Sequence, residues 1–384
     1  MIDRLVEDTS ALQTHVVQVD VRHVALPTGI KAFVLPDGRR TPTEVPILLI
    51  RVTDTDGVCG YSLLWAQQPQ HAPLLEAGLR YLVDVVTQHA LSEAPRLAAT
   101  LRAATTFFGP AGVTAFGVSG LQMAIEDLIC RRREQSLGAI LGRKRDRLRF
   151  YQTGLMLQAT VEELVDEAAG MYANGLRAVK MLVGKPSLDE DVDRIQAVRQ
   201  SLPDDTSLMV DALQRWTPQQ ALQAAERLAD FGLVWIEDPL PHHDIAGYRQ
   251  LAQHAAVPVS TGETAYSAEA FGQLIEAGVP YLIGEPERVG GLCAWADIAH
   301  TVDAAGAVML PHLYPHVSAQ VLASLPQDEV WLEYVPWFDP LVAENLTVLP
   351  GGLVEVSAGP GAGFTPDLDA VEDIARGPWR RLND

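Results

Sequence analysis

Cysteine is scarce in this 384-residue chain: only Cys59, Cys130 and Cys293, far apart and without a CxxC pair. That spacing argues against a disulfide framework or a thiolate zinc site and fits a reducing cytoplasm. Positive charge is also short. Twenty-nine Lys and Arg face 49 Asp and Glu, a formal net charge of −20. Nucleic acid and anionic membranes both ask for a basic face, so neither is an expected partner. Long apolar runs are missing too. The first residues, MIDRLVEDTSALQTHVV, lack the apolar stretch of a signal peptide, and no segment reads as a membrane span of roughly 18 uncharged apolar residues. Secretion and membrane insertion are not expected, and a cytoplasmic location is. What is present is 48% hydrophobic residues, enough for a large core, in a chain long enough for a barrel and a smaller partner.

From residue 147 onward a rhythm sets in. Short β-rich runs recur: RLRFYQTG (147–154), AVKMLVG (178–184), SLMVDAL (207–213), VWIEDPL (234–240), VPVSTGET (257–264), YLIGE (281–285), VMLPHLY (308–314) and WLEYV (331–335). Amphipathic stretches such as TPQQALQAAERLADFG and SAEAFGQLIEAG separate most of them, at the length of one βα unit. Eight strands alternating with helices make either a doubly wound open sheet or a closed barrel. Polar residues recur at nearly every strand's C-terminal end, and only a barrel brings all those ends to one mouth. Residues 1–135 read differently. Three runs, THVVQVDVRHVAL, VPILLIRVTDTDG and VCGYSLLW, predict an antiparallel meander, with helices near 72–90, 93–105 and 113–133. The expectation is an α/β chain: an N-terminal α+β capping domain (1–135), a barrel over 136–355, and a Pro/Gly-rich tail (about 356–384) returning to the cap.

Three acids stand in phase. Asp211 ends LMVD, Glu237 sits in VWIEDP and Glu263 in VSTGET, at successive intervals of 26 residues. At 4 Å two unit charges repel by about 4 kcal/mol at an effective dielectric of 20, so three carboxylates at one mouth call for a cation. No Lys or Arg lies beside them on their strands, which points to an oxygen-liking divalent ion, Mg²⁺ or Mn²⁺. The bland alternative is helix capping or pairing with distant arginines. Lys180 and His312 end two further strands as candidates for carboxylate binding and acid–base work, with Glu285 placed to orient His312. Glu333 ends the last strand, either as a neutral acid donating to a substrate or as a surface carboxylate.

VWIEDP, VPVSTGET, ERVGG (287–291) and the HL of the seventh strand resemble the enolase superfamily, in its mandelate racemase subgroup. The resemblance runs along nearly the whole chain, including GVCGYSLLWA and WLEY followed by PWFDPL. It implies a modified TIM barrel, (β/α)₇β, under an α+β cap. It also implies Asp211, Glu237 and Glu263 as Mg²⁺ ligands, His312 with Glu285 as the dyad, and Glu333 as the acid that hydrogen-bonds the substrate carboxylate. Enzymes of this family abstract the proton α to a carboxylate, giving an enediolate whose charge the metal takes up. A homo-oligomer is a further implication.

The chain departs from the family pattern at three places. The second strand reads Lys180-Met181-Leu182 where the family has Lys-x-Lys, so the base on one substrate face is missing. Leu213 replaces an Asn, and Glu285 is one methylene longer than the usual Asp. A β-elimination needs only one base, which favours dehydration of an acid sugar to a 2-keto-3-deoxy acid. Two alternatives stay open: a racemase, epimerase or lactonising enzyme with another base such as Tyr151, or a barrel that binds metal and carboxylate without turnover. Substrate contacts are expected from the loop 26–44, with Lys31, Arg39 and Arg40 as cationic candidates. His316 reads as a helix residue, and His242 and His243 as loop residues that surface exposure or the barrel mouth would equally explain.

Overall fold

In the computed structural model, residues 1–7, 12–27, 38, 40–41 and 43–383 are described. The three N-terminal strands, β1 (Val16–Pro27), β2 (Glu44–Asp54) and β3 (Cys59–Trp65), form an antiparallel meander. The barrel strands follow as β4 (Arg147–Gly154), β5 (Ala178–Leu182), β6 (Ser207–Asp211), β7 (Leu233–Glu237), β8 (Val259–Thr261), β9 (Tyr281–Gly284), β10 (Val308–Pro311) and β11 (Trp331–Tyr334). They run parallel in sequence order, and β11 closes the ring by pairing with β4. Helices follow β4 to β10, and none of the barrel type follows β11 among the described residues, so the expected (β/α)₇β barrel is the one found. The short strands β12 (Val348–Leu349) and β13 (Leu353–Glu355) add an antiparallel hairpin to the start of β4.

Local sequence explains several of these boundaries. Thr160 with Glu163, and Thr217 with Gln220, make reciprocal capping boxes at the helices after β4 and β6. Each such cap is worth about 1 kcal/mol by satisfying otherwise orphaned amides. The tail returns to the cap: β14 (Arg380–Arg381) pairs with Asp20 and Val21 as a fourth strand, and Arg22 donates to Glu372 at 2.7 Å. Helix Val113–Arg132 differs from its neighbours in being buried on nearly every side, its polar Ser119, Gln122, Glu126 and Asp127 included. It is long and apolar enough to span a bilayer, contrary to the sequence expectation that no such segment exists, but most of it is buried between the cap sheet and the barrel. A helix buried all round belongs in a core, and this one is the centre of the cap.

Candidate active site at the barrel mouth

The barrel interior is built in two layers. Tyr151, Ala178, Met209, Trp235, Ile283, Leu310 and Trp331 pack together as an apolar floor. Side chains along a strand alternate with a period of two, so the next inward position lies two residues toward the mouth. Those positions are Thr153, Lys180, Asp211, Glu237, Glu285, His312 and Glu333. One step along each strand turns a dry floor into a charged ring. Asp211 and Glu237 are register partners on β6 and β7, and Glu263 stands two residues beyond β8.

Lys180 is 2% exposed and lies between two acids, in contact with Glu237 and 2.9 Å from Glu333. Burial would lower its pKa, but Glu237 and Glu333 raise it well above the usual lysine value. Trp235 donates its indole N–H to the other Glu237 oxygen at 3.1 Å. Glu333 accepts from the Thr153 hydroxyl at 2.5 Å and the Leu313 amide at 2.8 Å. Burial alone would raise the Glu333 pKa, yet Lys180, His312 and these donors bring it down to about 2. Glu333 is buried, so it is not the surface carboxylate weighed from sequence.

His312 faces two carboxylates. Its Nδ1 lies 3.1 Å from Glu285 and its Nε2 3.3 Å from Glu263. Burial lowers its pKa, but the two acids more than offset that and raise it to about 10. The extra methylene of Glu285 does not prevent contact with the imidazole. It also lets Glu285 reach Arg288, three residues on, and burial of this carboxyl is outweighed by Arg288 and His312, which hold its pKa below the usual range. Arg288 donates to the Tyr266 hydroxyl at 2.7 Å and lies 5.1 Å from the Phe116 ring centre, which fixes the guanidinium from the cap side.

Across the mouth from His312 the surface is apolar. Leu182 packs with Met156 and Leu157, flanked by Leu213 and Trp337. The backbone around the mouth is strained as well. Leu155, Leu213, Gln214, Asp238, Leu313 and Tyr314, all just past barrel strands, have φ between 38° and 58°. Such conformations concentrate where function demands a particular side-chain aim.

Among the described residues, six carboxylates (Asp211, Glu237, Asp238, Glu263, Glu285 and Glu333) gather here around fewer cationic groups: Lys180, Arg288 and His312, with Arg215 near Asp211. Burial pushes the Asp211 carboxyl well up, and Glu237 and Glu263 add to it; burial does the same at Asp238, with Glu263 adding most. Asp238 also keeps one buried oxygen without a hydrogen-bond partner. Among the described residues the acids do not close into a ready-made metal cluster, because Lys180 sits against Glu237 and His312 against Glu263. The surplus of buried negative charge and the all-oxygen donor set nevertheless fit a hard divalent ion.

Sequence reasoning missed Arg288, Asp238, Thr153 and Gln214. Asp238 follows Glu237 directly, and Gln214 links it to Thr264 and to the His242 amide. His242 thus borders the mouth, whereas His316 is buried on helix Pro315–Leu322 with burial lowering its pKa to about 4. Tyr151 lies in the apolar floor, edge-on to Trp235, its pKa raised well above the usual value chiefly by burial. That position corrects its candidacy as a second base or substrate contact, because a desolvated phenol beneath Lys180 faces no open space. Lys31 and Arg39 lie outside the described residues, and Arg40 contributes a carbonyl to Gln68 at 2.8 Å. A cavity of about 1280 Å³ lined by Arg143, Arg145 and His316 holds none of the mouth's residues.

Comparison with known proteins identifies the family and the fold. Residues 163–370 match the enolase C-terminal domain-like family. L-talarate/galactarate dehydratase of Salmonella typhimurium is 29% identical over 91% of this chain and 88% of its own length. An N-succinylamino acid racemase of Amycolatopsis is 32% identical over 66% of this chain and 70% of its own. The crystal structure of L-talarate dehydratase from Polaromonas, complexed with Mg and L-glucarate, superposes with a TM-score of 0.86 at 28% identity, covering 96% of this chain and 99% of that one. With the family match spanning more than half of the sequence, this chain belongs to the enolase superfamily, in its mandelate racemase/muconate lactonizing enzyme branch.

Proposed function

We propose that the protein is a Mg²⁺-dependent lyase that dehydrates an acid sugar to a 2-keto-3-deoxy acid. One observation carries the reading: among the described residues the mouth has one candidate base, His312, and the wall of Met156, Leu157, Leu182, Leu213 and Trp337 opposite it offers no proton acceptor. The dehydratases of Salmonella and Polaromonas support the reaction class, and the Mg and L-glucarate in the latter support both ion and substrate type. A Mg²⁺ ion (Mn²⁺ as second choice) held by Asp211, Glu237 and Glu263 would supply positive charge to the oxygens of a substrate carboxylate, easing loss of the neighbouring α-proton.

The chain's own residues then have distinct tasks. Glu285 engages Nδ1 of His312, so Nε2 is the atom that takes the α-proton. To act as base His312 must first be neutral, and Glu263, which helps keep it charged, is one of the proposed ligands. As imidazolium, His312 gives the proton to the 3-hydroxyl, which leaves as water, and the resulting enol tautomerises to the 2-keto acid. Lys180, anchored by Glu237 and Glu333, presents the buried positive charge toward which a carboxylate would be drawn. A reducing cytoplasm suits the three free cysteines, and a homo-oligomer belongs to the same reading.

Racemisation would need an acceptor on the second face, and Tyr151 is not placed to provide one. The test is a panel of aldonates and aldarates incubated with Mg²⁺ in deuterated water. Appearance of a 2-keto-3-deoxy acid is expected. An epimerised product that keeps its 3-hydroxyl would replace this reading with the racemase, and tight binding without α-proton exchange would replace it with a non-catalytic barrel.

A further inference from the structure

Two residues beyond the dyad, on the cap side of each strand end, lies a second pair. Glu285 and His312 are 27 positions apart, and so are Glu287 and Tyr314, whose hydroxyl donates to the Glu287 carboxyl. Glu287 is fully buried, and the same oxygen accepts the Trp65 amide at 3.0 Å. That amide also lies 2.9 Å from the Tyr314 oxygen. Trp65 ends β3 of the cap, and its ring stands edge-on to the His312 imidazole, 6.3 Å between centres. One contact point thus joins both dyad segments to the cap.

Strain makes the arrangement consequential. Leu313 and Tyr314, immediately after His312, have φ of 55° and 51°, a conformation costly for side-chain-bearing residues. Two consecutive left-handed residues persist only where their surroundings hold them. Here Glu333 takes the Leu313 amide and Glu287 takes the Tyr314 hydroxyl. Burial pushes the Glu287 carboxyl well above its usual pKa, with Glu285 adding to the effect and Arg288, Tyr314 and the Trp65 amide opposing it.

We infer that Tyr314 and Glu287 are positioning residues: by pinning the strained turn after His312 to cap strand β3, they hold the imidazole against Glu285. The claim deepens the proposed mechanism and rests on His312 being its base. It also gives the cap a role in assembling the dyad, separate from any contact it makes with substrate.

Three variants of the full chain test it: Tyr314→Phe, Glu287→Leu and the isosteric Glu287→Gln. The structural readout, independent of any substrate, is the His312 Nδ1–H proton resonance, assigned by its loss in His312→Asn. Tyr314→Phe and Glu287→Leu should shift or broaden it while leaving the melting temperature within a few degrees. Glu287→Gln, which keeps a side-chain oxygen to accept from Tyr314 and Trp65, should keep the native signal. With an acid-sugar substrate, the first two should lower kcat at least tenfold with KM changed less than threefold, and Glu287→Gln should recover most of it. A native resonance in Tyr314→Phe and Glu287→Leu overturns the inference, as does loss of resonance and fold together in all three variants. If the resonance responds as expected but no acid sugar turns over in the wild type, the positioning role stands and the dehydratase reading fails.

Discussion

The two sides of the barrel mouth are built on opposite principles. On one side, His312, Glu285, Arg288 and Glu263 form a chain of charges, each side chain oriented by the next. On the other, Leu182, Met156, Leu157, Leu213 and Trp337 offer only shape. The cap meets them differently too. It grips the charged side through polar bonds: Ser119 accepts the Gly290 amide, and Glu126 accepts those of Leu292 and Cys293. It meets the other side through apolar packing, with Trp337 against a cluster that includes Val24, Leu26 and Ile47. A reactive group needs fixed orientation, which hydrogen bonds supply and dispersion does not. The apolar wall can exclude water and protons from one face of a substrate, leaving the chemistry to the other.

The largest expected effect comes from removing the base. His312→Asn should lower dehydration and α-proton exchange together by roughly 10²–10⁴-fold, the range typical of general base catalysis. Exchange measured by NMR in deuterated water checks this, and full activity would leave the contrast between the two sides without meaning. Lys180→Met strips the central cation from between Glu237 and Glu333. Breaking a buried ion pair in this way costs about 3–5 kcal/mol, to be read from denaturant unfolding.

The cap's polar grip has a pH signature. Burial raises the Glu126 carboxyl from an ordinary 4.5 to about 7, partly opposed by its two amide donors. Its contribution to stability is therefore complete below pH 4.5 and lost as the pH rises through 7. That loss amounts to about 3–4 kcal/mol at most, at 1.36 kcal/mol per pKa unit. Glu126→Gln should flatten unfolding free energy between pH 4.5 and about 7, and an unchanged slope would assign the dependence elsewhere. The smallest effect tests the apolar side. Leu182→Lys places an amine opposite His312 and should raise α-proton exchange of the opposite epimer by about tenfold, worth about 1.4 kcal/mol. No gain there would mean that something other than the missing base keeps the reaction one-sided.

Much of this arrangement was legible in the order of residues. The eight barrel strands, the acids at 26-residue intervals, and His312 with Glu285 all follow from strand ends converging on a common mouth. Leu182 marks a missing base only through the resemblance to the Lys-x-Lys of the family, while its inward aim follows from that of Lys180 two residues before. Arg288 was less visible, because an arginine three residues after an acid is ordinarily a surface pair. Tyr151 was misplaced because alternation tells which residues point inward but not at what depth.

Sequence alone determined the repeating βα rhythm and which acids share a phase, because both depend on periodicity along one chain. Tertiary structure decided the charge states: Glu333 near pKa 2, His312 near 10 and Glu126 near 7 depend on neighbours tens to hundreds of residues away. Coulomb and desolvation energies are set by distance and burial in space, and only the closed barrel under its cap defines those.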